Sequence, residues 1–299
     1  MSRTVAIIGG DGQLGRDLRA CWPQRHPEDT VVSLDHGTIS VEGAEGVLEA
    51  LTRVRPDLVV NTAAYHKVDL VESTAERAFE VNALGARNVA RACQELGAAC
   101  VFISTDYVFS GRLGRPHQET DPIDPPNVYG ASKASGEMLV RLACERHFIV
   151  RSCGLFGVHG ASGKGGNFVE TMLRLAATGQ PIRVVDDQVL TPTPTAALAE
   201  QLAALIDTRS YGTYHATCQG ECSWYDFAAE IFRQEGLAPD LTPQSSAQAG
   251  SAARRPSYSV LDNVALRELG IDHMPDWQHG LSTYLTERRR RASSVEPVR

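Results

Sequence analysis

Thr4-Val-Ala-Ile-Ile-Gly-Gly-Asp-Gly-Gln-Leu-Gly15 decides the fold. Its short apolar run predicts a strand buried on both faces. Glycines follow, and Leu14 to Ala20 has helical character. Strand, glycine turn and helix in that order form the dinucleotide fingerprint, because glycines admit a pyrophosphate to backbone N–H groups at a helix N-terminus. Two registers fit: Gly10, Gly12 and Gly15 give G-x-G-x-x-G, whereas Gly9, Gly12 and Gly15 give G-x-x-G-x-x-G. A second strand, Thr30 to Leu34, ends at Asp35. That is about twenty residues after the last glycine, where an acid would hold the adenosine ribose, and it favours NAD. His36 beside it would tolerate a 2′-phosphate, so NADPH and NADH both stay open.

Outward from that unit, helices and strands alternate. Val47–Val54 reads as a helix, the run after Arg55-Pro as a strand, Ala75–Leu96 as a helix stopped by Gly97, and Cys100–Ser104 as another buried strand. A helix from Tyr129 to about Arg146 and a strand over Phe148–Ser152 follow. The fold class is therefore α/β: a doubly wound, Rossmann-type parallel sheet with a smaller C-terminal α/β substrate lobe. We expect residues 1–152 to form the NAD(P)-binding domain, with 190–217 returning to it. Residues 153–189 and 218–287 then form the substrate lobe, and 288–299, starting with four arginines, a mobile basic tail. Pro239 to Ala253 reads as a polar linker and Ser223 as a helix N-cap.

Composition narrows the function. The chain has 299 residues, 42% of them hydrophobic, and a formal charge of −7. It has core enough for such a sheet and no basic stripe for nucleic acid. The start lacks a secretory signal, and no uncharged apolar run reaches membrane-spanning length, so a cytoplasmic protein is expected. Seven scattered cysteines read as reduced core thiols. Asp186 and Asp187 are adjacent acids without ligand spacing, and no metal site is expected.

Asn127-Val-Tyr-Gly-Ala-Ser-Lys133 carries the chemistry. Tyr129 and Lys133, four apart, share one helix face. A phenol titrates near pH ~10 and an adjacent ammonium favours its anion, so the pair is a candidate proton carrier. Strand ends deliver Thr62-Ala-Ala-Tyr65 and Thr105-Asp106-Tyr107 to the same sheet edge as the glycine turn. Together these are the parts of a carbonyl reductase: a hydride from a nicotinamide, a proton from a Tyr, and a Lys steadying both.

The blocks Gly9–Gly15, Arg55–Tyr65, Val81-Asn82, Ile103–Phe109, Asn127–Lys133, Gly165–Phe168, Val184–Gln188, Cys222–Tyr225 and Ala253–Pro256 occur in one order. In them the chain resembles the extended short-chain dehydrogenase/reductases, and within these the dTDP-4-dehydrorhamnose reductase family, over nearly its whole length. The resemblance implies that Tyr129, Lys133 and Thr105 are catalytic. Tyr129 would protonate the C4 oxygen of a nucleotide-linked 4-keto-6-deoxy sugar, and Lys133 would hold the nicotinamide ribose and lower the Tyr pKa. Cofactor contacts fall on Gly9, Gly12, Gln13, Leu14, Asp35, Val41, Ala63, Ala64 and Tyr65, besides Tyr129 and Lys133. Substrate contacts fall on Thr105, Asp106, Gly154, Asn167, and Arg254 or Arg255. The substrate partner is the nucleotide sugar, and a homodimer is a family expectation. Where the family has a Trp near the sugar, Gly154 stands in Arg151-Ser-Cys-Gly154, which enlarges the pocket and leaves the sugar open. Ser40-Val41 replaces the usual acid and apolar pair near the adenine.

Three other readings share the scaffold. A 4,6-dehydratase needs a second acid where Tyr107 stands, and is disfavoured. A 4-epimerase would use the same Tyr and Lys. A regulatory module resembling the methionine adenosyltransferase β-subunit would bind dinucleotide without turnover.

Overall fold

The computed structural model describes residues 2–160 and 166–295. Strands β1 (Thr4–Ile8), β2 (Thr30–Leu34), β3 (Leu58–Asn61), β4 (Ala99–Thr105) and β5 (His147–Ser152) alternate with helices. These are α1 (Gln13–Arg25), α2 (Ala44–Val54), the short α3 (Val68–Val71) and α4 (Ala75–Phe79), α5 (Ala86–Leu96) and α6 (Val128–Ala143). Beyond them come β6 (Leu155–Phe156), α7 (Phe168–Ala176), β7 (Ile182–Val185), β8 (Val189–Leu190), β9 (Thr193–Pro194) and α8 (Thr195–Thr208). The chain finishes with β10 (Gly212–His215), β11 (Cys222–Ser223), α9 (Trp224–Glu235), β12 (Leu241–Gln244), α10 (Ser246–Ala249), α11 (Val264–Glu268) and α12 (Trp277–Val295).

Six strands form one parallel sheet in the order β10-β5-β4-β3-β1-β2. The order reverses between β1 and β3, which opens a crevice at their C-terminal ends. Successive residues of β1 serve opposite faces, as a strand's period of two requires. Val5 and Ile7 pack with Leu18 and Trp22 of α1 and Leu198 and Leu202 of α8. Ala6 and Ile8 pack with Leu51 of α2, Val89 and Cys93 of α5 and Val140 of α6. Each large side chain so buried contributes about 1.5–3 kcal/mol. A third core, from Phe156, Met172, Ile182, Phe227, Ile231, Trp277 and Leu281, is built by the segments after β5. Cys21 is half-buried and the other six cysteines are buried; all are free thiols.

Three segments differ from the sequence reading. The helix expected over Ala75–Leu96 is interrupted by a π-helical turn, Glu80–Gly85. There the buried Asn82 side chain accepts from the Tyr65 N–H and donates to the Tyr65 carbonyl, pulling the helix toward the sheet edge. The expected linker Pro239–Ala253 contains β12, paired in parallel with β7, and α10, closed by a Ser245–Gln248 capping box. The expected basic tail from 288 continues α12 as far as Val295, where Arg288 pairs with Glu170 and Arg289 with Glu235. Residues 296–299 lie outside the described residues, as do 161–165 of the glycine-rich loop.

His215, at the end of β10, is fully buried, with Nδ1 beside the His117 and Asp262 carbonyls and the Arg151 guanidinium 3.3 Å from Nε2. Burial, then that cation, pushes its pKa down to about 3. A free His titrates near ~6.5, so the unfolded chain takes up a proton that the native one refuses. Native stability should therefore fall as pH drops from about 6.5 toward 3, by about 1.4 kcal/mol per pH unit from this group. Urea denaturation at several pH values should show a slope shallower by one proton in His215→Gln; equal slopes would exclude His215 as the source.

Candidate active site

Gly9, at φ +77°, turns the chain out of β1, and its carbonyl accepts from the Gly12 N–H at 2.9 Å. A Cβ on Gly15 would lie 2.4 Å from the Gly9 carbonyl oxygen, so only glycine lets α1 start this close to the turn. Gly9 and Gly12 line the cleft; Gly10 instead faces Ser33. The structure thus favours the Gly9, Gly12, Gly15 register. Gly12 caps α1 without a side-chain bond, leaving the first-turn N–H groups for an anion. An open helix N-terminus behind a glycine cradle fits the pyrophosphate of a dinucleotide.

The cleft has a volume of about 780 Å³. Gly9, Gly12, Gln13, Leu14, Asp35, Ala63, Ala64, Tyr65, Thr105, Asp106, Tyr129, Lys133, Gly154 and Asn167 all line it. The Asp35 carboxylate is exposed and accepts from the Gly37 and Thr38 N–H groups and the Thr38 hydroxyl. The Thr38 hydroxyl first, then those amides, hold its pKa below the ordinary value. Asn167 caps α7 through the Glu170 N–H and donates to the Gly157 carbonyl.

Asn127 caps α6 through the Gly130 N–H at 2.8 Å. A Cβ on Gly130 would sit 2.0 Å from the Tyr107 carbonyl oxygen. This contact presses the start of α6 onto the end of β4, bringing Tyr129 beside Thr105. The rings of Tyr129 and Tyr107 meet edge to face at 6.0 Å. Lys133 is buried, with Nζ donating to the Ile103 carbonyl at 2.6 Å over the Phe102 ring.

The electrostatics correct one expectation. Burial, then the Asp106 charge, raises the Tyr129 pKa above the ordinary phenol value, opposed by a hydrogen bond from Thr105. Desolvation draws Lys133 down to about 7, opposed by Glu137. Lys133 therefore does not by itself make Tyr129 acidic. Tyr129 is a neutral phenol at pH 7, as a proton donor must be.

Other expected positions fall elsewhere. Val41 does not line the cleft; it is buried against Gly85, and its carbonyl accepts from Asn88 Nδ2. Arg254 and Arg255 line a neighbouring cavity of about 340 Å³ with Asp187, Gln188 and Ser246. Arg255 is paired with Asp69 at 2.7 Å, while Arg254 is exposed. Gly154 does not simply widen the pocket. At φ +55°, a Cβ there would strike Leu190 at 2.8 Å and approach Pro192 at 3.2 Å, so an added side chain would be driven into that wall. Trp224 and Phe168, rings 4.6 Å apart, supply the aromatic lining instead. Sequence reasoning assigned no site role to these two, nor to Gln188 and Ser259, whereas Tyr107, expected at this sheet edge, does line the cleft. The Ser223 N-cap, which aims Trp224 from the first position of α9, was the available signal. Among the described residues no group of three or more His, Cys, Asp or Glu could hold a metal; Asp187 accepts from the Ser246 N–H and hydroxyl.

Parallel sheet, glycine cradle, and Tyr and Lys on one helix face at the switch point define an extended short-chain dehydrogenase/reductase. Comparison narrows this. The RmlD substrate binding domain family matches residues 3–290, and the chain belongs to that family. The spore coat polysaccharide biosynthesis protein SpsK of Bacillus subtilis is 39% identical over 95% of this chain and 97% of its own. A dTDP-4-dehydrorhamnose reductase of Streptomyces griseus is 38% identical over 92% of this chain and 91% of its own. The structure of dTDP-4-dehydrorhamnose reductase from Bacillus anthracis in complex with NADP superposes with a TM-score of 0.91. It is 39% identical and covers 96% of this chain and 100% of its own.

Proposed function

We propose that this protein reduces the C4 ketone of a nucleotide-linked 4-keto-6-deoxy sugar with NADPH or NADH, converting dTDP-4-dehydrorhamnose to dTDP-rhamnose. The observation that carries the reading is the convergence of Tyr129, Thr105 and Lys133 on a cleft that opens at a glycine cradle. The full-length match to reductases of this substrate supports it.

A bound nicotinamide would supply the hydride. Gly9, Gly12, Gln13 and Leu14 would hold its pyrophosphate, and Ala63, Ala64 and Tyr65 would flank its far end. Tyr129 donates its proton to the oxygen that becomes anionic as C4 is reduced, and Thr105 hydrogen-bonds the same oxygen. Lys133, detached from the Ile103 carbonyl, would hold the ribose and place a positive charge near the phenolate left on Tyr129. Gly154, Asn167 and Arg254 would meet the substrate, with Arg255 held by Asp69. Tyr107, standing in the cleft without a carboxylate, leaves the site without the second acid that dehydration needs.

The same reading divides the chain into a cofactor unit, 1–152 with 190–217, and a substrate lobe, 153–189 with 218–287. The return of β10 to the main sheet and of α8 to α1 supports that division. No described helix is long and apolar enough to cross a membrane, and the reading is of a cytoplasmic biosynthetic enzyme.

The test is turnover: the protein, NADPH or NADH, and dTDP-4-dehydrorhamnose, followed by the absorbance of the reduced nicotinamide. Oxidation matched by dTDP-rhamnose is expected. No oxidation with any nucleotide-linked 4-ketone would defeat the reading and favour a binding module.

A further inference from the structure

Gln13 stands where the cofactor unit meets the substrate lobe. It is the first residue of α1, directly after the glycine cradle, and it lines the cleft. Its side chain also reaches out of the cofactor unit, with Oε1 accepting from the Gly157 N–H at 2.9 Å. A backbone N–H only donates, so the atom facing it is the carboxamide oxygen, which leaves both Nε2–H donors for an anion at the cradle. The approach is close because residue 157 has no side chain. A Cβ there would fall 2.8 Å from Gln13 Cγ and 2.0 Å from Thr195 Oγ1.

Gly157 carries the contact onward, since its carbonyl accepts from Asn167 Nδ2 at 2.8 Å. Asn167 is buried and held at both ends of its carboxamide. Nδ2 also reaches the Tyr284 hydroxyl at 3.2 Å, and Oδ1 caps α7 through the Glu170 N–H at 3.1 Å. In the first turn of α7, Phe168 and Thr171 line the cleft beside Trp224. Two hydrogen-bonded steps, Gln13 to Gly157 and Gly157 to Asn167, thus join the glycine cradle to the wall of the substrate lobe.

We propose that Gln13 couples the two binding events, so that a dinucleotide on the cradle raises the affinity of the lobe for the nucleotide sugar. A Gln side chain has several rotamers to lose. A phosphate oxygen bonded to Nε2 fixes the one that presents Oε1 to Gly157. The ordering needed at Gly157, Asn167 and Phe168 is then already in place when the sugar nucleotide arrives, and the second ligand loses less freedom on binding. By linkage the sugar nucleotide tightens the dinucleotide by the same factor. Toward the substrate Gln13 is a positioning residue, acting through Gly157.

The proposal rests on the reductase reading, and calorimetric titration with dTDP-rhamnose separates the two. NADPH and dTDP-rhamnose are both reduced, so the pair binds without reacting. In wild type, saturating NADPH should tighten dTDP-rhamnose by at least about fivefold, the lower end of ordinary coupling. Gln13→Met keeps the length of the side chain and neither polar atom. Its tightening should fall below about twofold, while dTDP-rhamnose alone binds within about twofold of wild type. Gly157→Ala breaks the same link from the other lobe with Gln13 intact, and should lose the tightening likewise. A residue that only holds the pyrophosphate would weaken NADPH yet leave the full tightening once the site is filled. Tightening at the wild-type factor in either folded variant would therefore overturn the coupling, and so would its absence from wild type, with the reductase reading left standing. No binding of dTDP-rhamnose, with or without NADPH, defeats the reductase reading itself, and the coupling with it.

Discussion

Tyr129→Phe is expected to lower kcat by about 10²–10⁴-fold, the usual contribution of a positioned general acid, while cofactor affinity stays within about twofold. The size follows from burial. Tyr129 lies where its phenol stays protonated at working pH, and Phe keeps the ring that packs edge to face on Tyr107. Only the hydroxyl is lost, so the oxygen forming at C4 keeps its Thr105 partner but has no donor with a proton to give. The loss should appear in kcat and kcat/KM together, because the missing interaction is made as charge develops and not in the ground state. The measurement is steady-state oxidation of the reduced nicotinamide, beside titration of the cofactor by fluorescence. Thermal unfolding should be little changed. Full activity in the variant would remove Tyr129 from the mechanism, whereas a loss confined to KM would make it a binding residue.

How much of this was legible beforehand depended on how local each determinant is. The β1 strand, the glycine turn and α1 follow one another within the span of a single pattern, and the sheet agrees with that reading. Tyr129 and Lys133 share a helix turn, so their common face was readable too. What the sequence could not convey was set by segments far apart along the chain. Arg255 is taken by Asp69, the space beside Gly154 is closed by Leu190, and 241–244 becomes a strand only because β7 lies beside it. The sign of the Tyr129 shift belongs to the same class. A Lys four residues on suggests a lowered pKa, but burial and Asp106 decide the direction, and neither has a local signature. The π-turn at Glu80–Gly85 was hidden because apolar spacing fits an α-helix almost as well.

The largest effect on stability should come from Glu137, one turn beyond Lys133 on α6. Its carboxylate is fully buried and takes two bonds from Arg151, Nε at 2.9 Å and Nη2 at 2.7 Å, and a third from the Ser104 hydroxyl at 2.6 Å. Arg151 is buried as well, with its guanidinium over the Phe109 ring and Nη1 on the Glu119 carbonyl. Glu137→Leu would leave that guanidinium without its counter-charge in the core. Breaking one side of such a pair costs about 3–5 kcal/mol. Arg151→Met should also destabilise, but by less, because the carboxylate keeps the partly exposed Arg141 at 3.3 Å and the Ser104 hydroxyl. The double variant, Glu137→Leu with Arg151→Met, should recover most of the loss, since a packed apolar pair carries no desolvation debt. Urea denaturation of the four proteins closes the cycle. Single losses below about 1 kcal/mol, or a double loss equal to their sum, would show that the pair is not a coupled buried unit. The pair also bears on catalysis. It ties α6 to β4 and β5 between Lys133 and Thr105, and the Glu137 charge works to keep Lys133 protonated against burial. Glu137→Gln should therefore shift the Lys133 titration below about 7, and activity should become more acid-shifted in the variant that still folds. A pH profile of kcat/KM unchanged from wild type would confine Glu137 to holding the sheet and helix together.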